Sequence, residues 1–181
     1  MNAICEACLQ ILEDPETPPL TTNHVADKAG VSIGTLYQYF SNLDEILAAL
    51  GEAQTRKDRA RITDIILNNR DVGSLRAIVR TLMNDEDISQ PTRQTIADAL
   101  LRVRGASVMT EHYSAFFDTL EDQASFEFEL SREAAFVLTH APIGLLRAAS
   151  AQPELGLSPD RLEDELVRMM ESYVRALPRV S

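Results

Sequence analysis

Between positions 32 and 39 of this 181-residue chain stand Ser32, Ile33, Gly34, Thr35, Tyr37, Gln38 and Tyr39, a set rich in hydroxyl and amide groups and free of formal charge. A glutamine can form two hydrogen bonds with an adenine edge, and an isoleucine can cover a thymine methyl. Serine, threonine and tyrosine hydroxyls suit phosphate oxygens, and a glycine lets its backbone come close to a partner. This is the chemistry of recognition, not of bond breaking. The rest of the chain offers no catalytic set: His24, His112 and His140 are scattered, with no HExxH, nucleophile elbow or glycine-rich phosphate loop. Cys5 and Cys8 have CxxC spacing, but no second cysteine pair or histidine cluster joins them. Small thiols facing or flanking a core are expected there, not a metal or redox centre. We expect no cofactor, no metal and no enzymatic activity.

Two short helices must position these side chains. Thr21 is a good N-cap for a run that places Val25, Ala26 and Ala29 at helical spacing. Gly30 ends that run, because glycine takes the left-handed conformation at little cost. Ser32 then caps a second run, over 33–39, in which Leu36 and Phe40 are core by spacing. Two helices joined by a three-residue turn containing glycine form a helix-turn-helix, whose second helix can enter the major groove of DNA.

The residues are more specific than the pattern. Ala29-Gly-Val-Ser-Ile-Gly-Thr-Leu-Tyr-Gln-Tyr-Phe40, followed by a helix starting near Leu43, resembles the DNA-binding segment of TetR-family (tetracycline-repressor-like) transcriptional regulators. The detailed likeness covers about the first fifty residues. It implies an all-α fold of about nine helices, with a DNA-binding domain over 1–50 and a ligand-binding and dimerisation domain over 51–181. By similarity, Ser32, Tyr37 and Tyr39 hold phosphates, while Ile33, Thr35 and Gln38 are better placed for bases. Thr21, Thr22 and Gly34 complete the DNA-facing set. Either tyrosine could instead pack with its hydroxyl in water. Three positions depart from the family pattern: Ile33 and Leu43 stand where Lys is frequent, and Tyr39 where His is frequent. All three lower positive charge, which implies weaker DNA binding.

The charge balance points the same way. The chain has a net charge of −11; within residues 1–50 Lys28 is the only cation, against Glu6, Glu13, Asp14, Glu16, Asp27, Asp44 and Glu45. Phosphate binding normally rests on Lys and Arg displacing counterions. This segment would have to use helix N-termini, backbone amides and hydroxyls. Alternatively, a basic arm precedes Met1 outside this sequence, which is what we expect. Arg56, Lys57, Arg59 and Arg61 form a basic cluster, but roughly 20 Å along the helix from its start at 1.5 Å per residue. A solvated helix face is expected there, with ligand or domain contacts as the alternative.

Further along, the chain reads as helices over about 3–13, 22–29, 33–39, 43 to beyond 56, 75–83, 92–104, within 110–121, 131–150 and 159–177. Ser41-Asn-Leu-Asp44 has the form of a capping box for the fourth of these. Residues 126–130 alternate with period two, yet with helices on either side an irregular connection is expected. No apolar stretch approaches the ~18 residues needed to span a bilayer. The N-terminus lacks a signal-peptide pattern, so a cytoplasmic protein that does not enter membranes is expected.

The helix over 131–150 is apolar nearly all round, with Ala141, Gly144 and Ala148 allowing close helix approach, and such helices are normally buried on several sides. It and the last helix could pack entirely into their own domain. The family resemblance implies instead that they form a homodimer interface, for which Ala141, Gly144, Leu145, Ala148, Leu166, Met170 and Tyr173 are candidates. It also implies a small-molecule pocket. Candidates are Leu82, Met83, Leu100, Met109, Tyr113, Phe116, Phe117, Phe136 and His140, although core packing accounts for any single one. His140 reads first as a satisfied core histidine. Aromatic and methionine side chains favour an apolar effector. The function implied is a ligand-responsive regulator, a repressor that binds a palindromic double-stranded operator as a dimer and is released by the effector. The other reading is a helical dimeric small-molecule-binding protein that has lost DNA binding.

Overall fold

Apolar side chains three and four apart drive α1 (Asn2–Leu12), which buries Ile4, Ala7, Cys8 and Ile11 on one face. The computed structural model describes residues 2–14, 16, 19–68, 73–84, 87–105, 110, 113–114, 116–119 and 128–179. After α1 come α2 (Thr22–Ala29), α3 (Ile33–Tyr39), the long α4 (Leu43–Asn68), α5 (Gly73–Met83) and α6 (Gln90–Arg104). Then follow α7 (Arg132–Ser150), a 3-10 turn over Pro153–Leu155 and α8 (Pro159–Ala176). The fold is all-α. Among the described residues there is no strand, only an isolated antiparallel bridge between Phe128 and Arg179. The alternating segment at 126–130 is thus not a strand where it is described, and residues 126 and 127 lie outside the described part. Of the segment over 110–121, the described residues are helical.

Helix starts follow the capping chemistry, with one correction. Ser89, Ser131 and Ser158 each accept a hydrogen bond from the backbone N–H three residues on, as N-cap serines do. At α4 the cap is Asn42 and not Ser41: Asn42 Oδ1 accepts from Glu45 N at 3.0 Å. The S-x-x-D spacing is one residue out of phase because Asn, an equally good cap, stands next to the serine. Pro91, one residue before the helix expected over 92–104, lies in the first turn of α6, where the missing N–H costs nothing.

The chain forms two compact units. The first comprises Met1–Arg56 and Asp85–Met109, so α6 folds with α1–α3 and the first half of α4. Its core is Ile4, Cys8 and Ile11 of α1, Val25 and Ala26 of α2, Leu36 and Phe40, Ile46 and Leu47 of α4, and Ile88, Ile96 and Ala99. Burying each larger aliphatic of this set stabilises by about 1.5–3 kcal/mol. Polar ties join the ends of α1 and α6: Ser89 N and Oγ donate to Glu13 Oε1 at 2.9 and 3.1 Å, and Thr92 Oγ1 donates to Leu12 O. Burial alone would raise the pKa of Glu13, but the hydrogen bonds from Thr92 and Ser89 outweigh it and hold the carboxyl below its ordinary value. Burial pushes the Cys8 thiol up to about 12 and raises Cys5 as well, so neither is the thiolate that redox or metal chemistry needs.

The second unit comprises Lys57–Asn84 and Thr110–Ser181. Ile78 and Val79 of α5 pack against Leu166, Val167 and Met170 of α8, with Leu138 and Leu146 of α7 at the edge. One charge is buried in this contact. Glu163 of α8 accepts from Arg76 Nη1 and from Arg80 Nε of α5, and Arg76 Nη2 also reaches Asp164 at 2.8 Å. Burial works to raise the Glu163 pKa, yet the two arginines win and hold it below the usual carboxylate value. A depressed folded-state value means stability that is present above the unfolded value and lost as pH falls through the folded one. Glu163→Gln is therefore expected to destabilise by about 1 kcal/mol near neutral pH, allowing for solvent around the arginines. The gap to the parent in thermal melts should close in acid. A gap that stays constant at acid pH would show that the carboxylate charge is not what Glu163 supplies.

Candidate nucleic-acid interface

The helix-turn-helix is built by three local devices. Thr21 lies in extended backbone, and its Oγ1 accepts from His24 N at 3.2 Å to start α2. Gly30 ends α2 at φ 67°, ψ 29°, with its own N–H and that of Val31 returning to Asp27 O and Ala26 O. This left-handed position is what glycine supplies. Ser32 then starts α3: its Oγ accepts from Thr35 N at 3.0 Å and lies 2.8 Å from Thr35 Oγ1. Leu36 is wholly buried and Phe40 nearly so, which pins α3 by one face.

That pinning decides what the other face shows. Ser32, Ile33, Gly34, Tyr37, Gln38 and Tyr39 are exposed, Tyr37 at 51% and Tyr39 at 57%. Thr21 is exposed, while Thr22 and Thr35 are half-buried. The Thr22 hydroxyl lies 3.2 Å from the Tyr37 hydroxyl, joining the start of α2 to the middle of α3. All nine sequence-predicted residues thus fall within one helix-turn-helix. A Cβ added at Gly34 would meet only Ser32 Oγ at 3.7 Å, ordinary contact. Among the described residues, no packing contact requires glycine there.

At the start of α4 the charge is organised by arginines that the sequence left unassigned. Asp44 and Glu45 occupy the first turn of α4. Arg102 of α6 donates to Asp44 at 2.8 Å, and Arg104 bridges Glu45 and Glu52 at 2.9 and 2.8 Å. Pairings across 58 and 52 positions leave no trace in periodicity or spacing. Only the excess of acid over base in the first fifty residues hinted that cations must come from elsewhere.

The candidate pocket residues divide. Tyr113, Phe117, Phe136 and His140 come together: Tyr113 lies 5.7 Å from Phe136 and 5.2 Å from His140 between ring centroids, and Phe136 stacks on His140 at 4.0 Å. Arg132 sits over the Phe117 ring, and the Tyr113 hydroxyl donates to Arg132 O at 2.7 Å. Phe136 is 50% exposed, and His140 Nδ1 lies 3.0 Å from Phe136 O, so this histidine is half-buried and not deep in a core. Phe116 is half-buried. Leu82 and Met83 pack on the α5–α8 core, whereas Leu100 belongs to the first unit's packing against Gly51. Met109 lies outside the described residues.

The dimer candidates also divide. Gly144, Leu145 and Ala148 are exposed and Ala141 half-exposed, while Leu166 and Met170 are buried in their own protomer against α5; Tyr173 is intermediate. Of α7, only Ala134, Ala135 and Pro142 are buried. Among the described residues, α7 meets the α5–α8 core through Leu138 and Leu146 and meets Tyr113 through Phe136 and His140, while Val137, Gly144, Leu145 and Ala148 stay exposed. Among the described residues no helix is long and apolar enough to cross a membrane, and no cluster of three or more His, Cys, Asp or Glu could hold a metal ion.

Residues 16–50 match the bacterial regulatory proteins of the tetR family. No curated protein matches the chain. Among solved structures, the chain is similar to the TetR-family repressor AlkX from Dietzia sp. strain DQ12-45-1b, implicated in biodegradation of n-alkanes. That likeness has a TM-score of 0.64 at 21% identity and covers 99% of this chain and 98% of the other. A TetR-family transcriptional regulator from Streptomyces coelicolor gives 0.61 at 20% identity over 97% and 98%. SmeT, repressor of the SmeDEF multidrug efflux pump of Stenotrophomonas maltophilia, gives 0.59 at 19% identity over 97% and 89%. At these identities the likeness concerns the fold.

Proposed function

Since the chain carries the N-terminal domain of the TetR family on the fold of TetR-family regulators, we propose that it is a dimeric, ligand-responsive transcriptional repressor. Residues 1–50 bind the operator and 51–181 take up the effector and dimerise. The observation that carries this reading is the outward face of α3, where exposed Ile33 and Gln38 with half-buried Thr35 are offered to bases and exposed Ser32, Tyr37 and Tyr39 to phosphates. A two-fold dimer would set two such helices on half-sites about one turn apart, or a multiple of that. An apolar effector in the second part, near the Tyr113–Phe136–His140 cluster, would move α4, change the spacing of the recognition helices and lower operator affinity.

For the dimer we assign the stripe of exposed Val137, Gly144, Leu145 and Ala148 with half-exposed Ala141, which recurs at helical spacing along α7. Leu166 and Met170 then act indirectly, by fixing α8. Leu145→Glu places a charge in that stripe and should weaken self-association about tenfold or more, read as dissociation into monomers in light-scattering chromatography. Unchanged mass at all concentrations would remove the stripe from the interface.

The test of the whole reading is fluorescence anisotropy with duplexes from the region upstream of the coding gene, titrated at several salt concentrations with and without apolar compounds. Specific binding that such a compound reverses is the expected result. The acidic charge of residues 1–50 favours a second reading, a helical dimeric binding protein without DNA affinity. Absence of binding at low salt, even with a basic segment joined upstream, would establish that one instead.

A further inference from the structure

A DNA-binding head with one cation in its first fifty residues needs positive charge from another part of the chain. Two arginines of α6 stand at its edge, and they differ. Arg104 is consumed: it bridges Glu45 and Glu52, and 37% of its side chain is exposed. Arg102 is 59% exposed and, among the described residues, bonds only Asp44, through a single nitrogen, Nη1. An exposed pair of this kind holds little stability, and a guanidinium bonded through one nitrogen keeps further N–H donors for another oxyanion.

The place matters as much as the charge. Asp44 lies five residues after Tyr39, the last residue of α3. Five residues reach at most about 17 Å, and a helix seated in a major groove about 12 Å wide has phosphate strands on both sides. The first turn of α4, where Leu43 offers no charge and Asp44 offers the wrong one, therefore lies within reach of a backbone phosphate.

We propose that Arg102 is a DNA-backbone anchor contributed by α6 from outside the helix-turn-helix, held in place by Asp44 until a phosphate takes it over. This rests on the DNA-binding reading above and adds a residue to it. The contact carries no base sequence, so it supports specific and non-specific binding alike. Asp44 competes with DNA for the guanidinium, which makes the pair a brake on affinity as well as a holder.

The test is anisotropy titration of the full chain, Arg102→Ala, Asp44→Asn, the double variant and Arg102→Lys on an upstream duplex and on a scrambled one. In each case log K is followed against log salt. Arg102→Ala should weaken binding to both duplexes and flatten the salt slope by about one. Between ~50 and ~200 mM salt the parent should then lose roughly threefold more affinity than the variant. Arg102→Lys should keep the slope, and Asp44→Asn should tighten binding. The double variant should retain the flattened slope. If instead the double variant matches Asp44→Asn in affinity and slope, Arg102 only neutralises Asp44 and the proposal is overturned. A parent that binds neither duplex at low salt overturns the DNA-binding reading itself, and the anchor falls with it. A parent that binds while Arg102→Ala keeps its slope overturns the anchor alone.

Discussion

Gly51→Val is expected to destabilise the first unit by about 3 kcal/mol, lowering the melting temperature by roughly 6–12 °C for a chain of this size. Intrinsic propensity argues the other way, since glycine inside a helix costs about 1 kcal/mol relative to alanine. Contact geometry decides it. A Cβ at position 51 would lie 2.6 Å from Ile96 O and 2.9 Å from Leu100 Cβ. The first of these atoms is backbone within α6 and cannot turn aside, so α4 and α6 would have to separate. Gly51→Ala should show the same sign at about 1–2 kcal/mol, the clash being offset in part by the gain in helix propensity. Gly34, where an added Cβ would meet only Ser32 Oγ at 3.7 Å, is the control: Gly34→Ala should not destabilise the protein. Melts of the three variants followed by circular dichroism check this. A Gly51→Ala protein as stable as the parent would mean that α4 and α6 do not meet backbone to backbone.

Gln38→Ala should leave stability within about 0.5 kcal/mol of the parent, because the side chain is exposed and has no hydrogen-bond partner among the described residues. On an upstream operator duplex it should cost about 1–3 kcal/mol, roughly 5- to 150-fold in affinity, the usual worth of a bidentate base contact. On a scrambled duplex it should cost almost nothing, since phosphates hold that complex. The ratio of the two affinities is the quantity to measure. An equal loss on both duplexes would place Gln38 on the backbone instead of a base, and no loss on either would move the readout to Ile33 or Thr35.

These two variants mark the boundary of what linear reasoning can reach. Gln38 was legible because local rules act within a few residues. A cap bonds three positions on, glycine stops a helix at its own position, and a period near 3.6 tells which side of α3 must be buried. Thr21, Gly30, Ser32, Leu36 and Phe40 therefore fall where the pattern put them, and the exposed face follows by subtraction. Even the miss at α4 is of this kind: Asn42 and Ser41 are both competent caps, and which one serves depends on where the incoming chain turns.

By itself the sequence determined the all-α class, the helix-turn-helix with its capping residues and outward face, and the shortage of cations around it. Each of these depends on interactions between near neighbours or on simple composition. Only the tertiary structure decided which helices share a core. It placed α6 with the first unit and brought α4 to its backbone at Gly51. It paired Arg102 and Arg104 with acids more than fifty positions away, turned Leu166 and Met170 inward onto α5, and left Phe136 and Leu145 in the open. The physical reason is that periodicity reveals an apolar stripe but not its cover, and a charge reveals a need for a partner but not the partner's address.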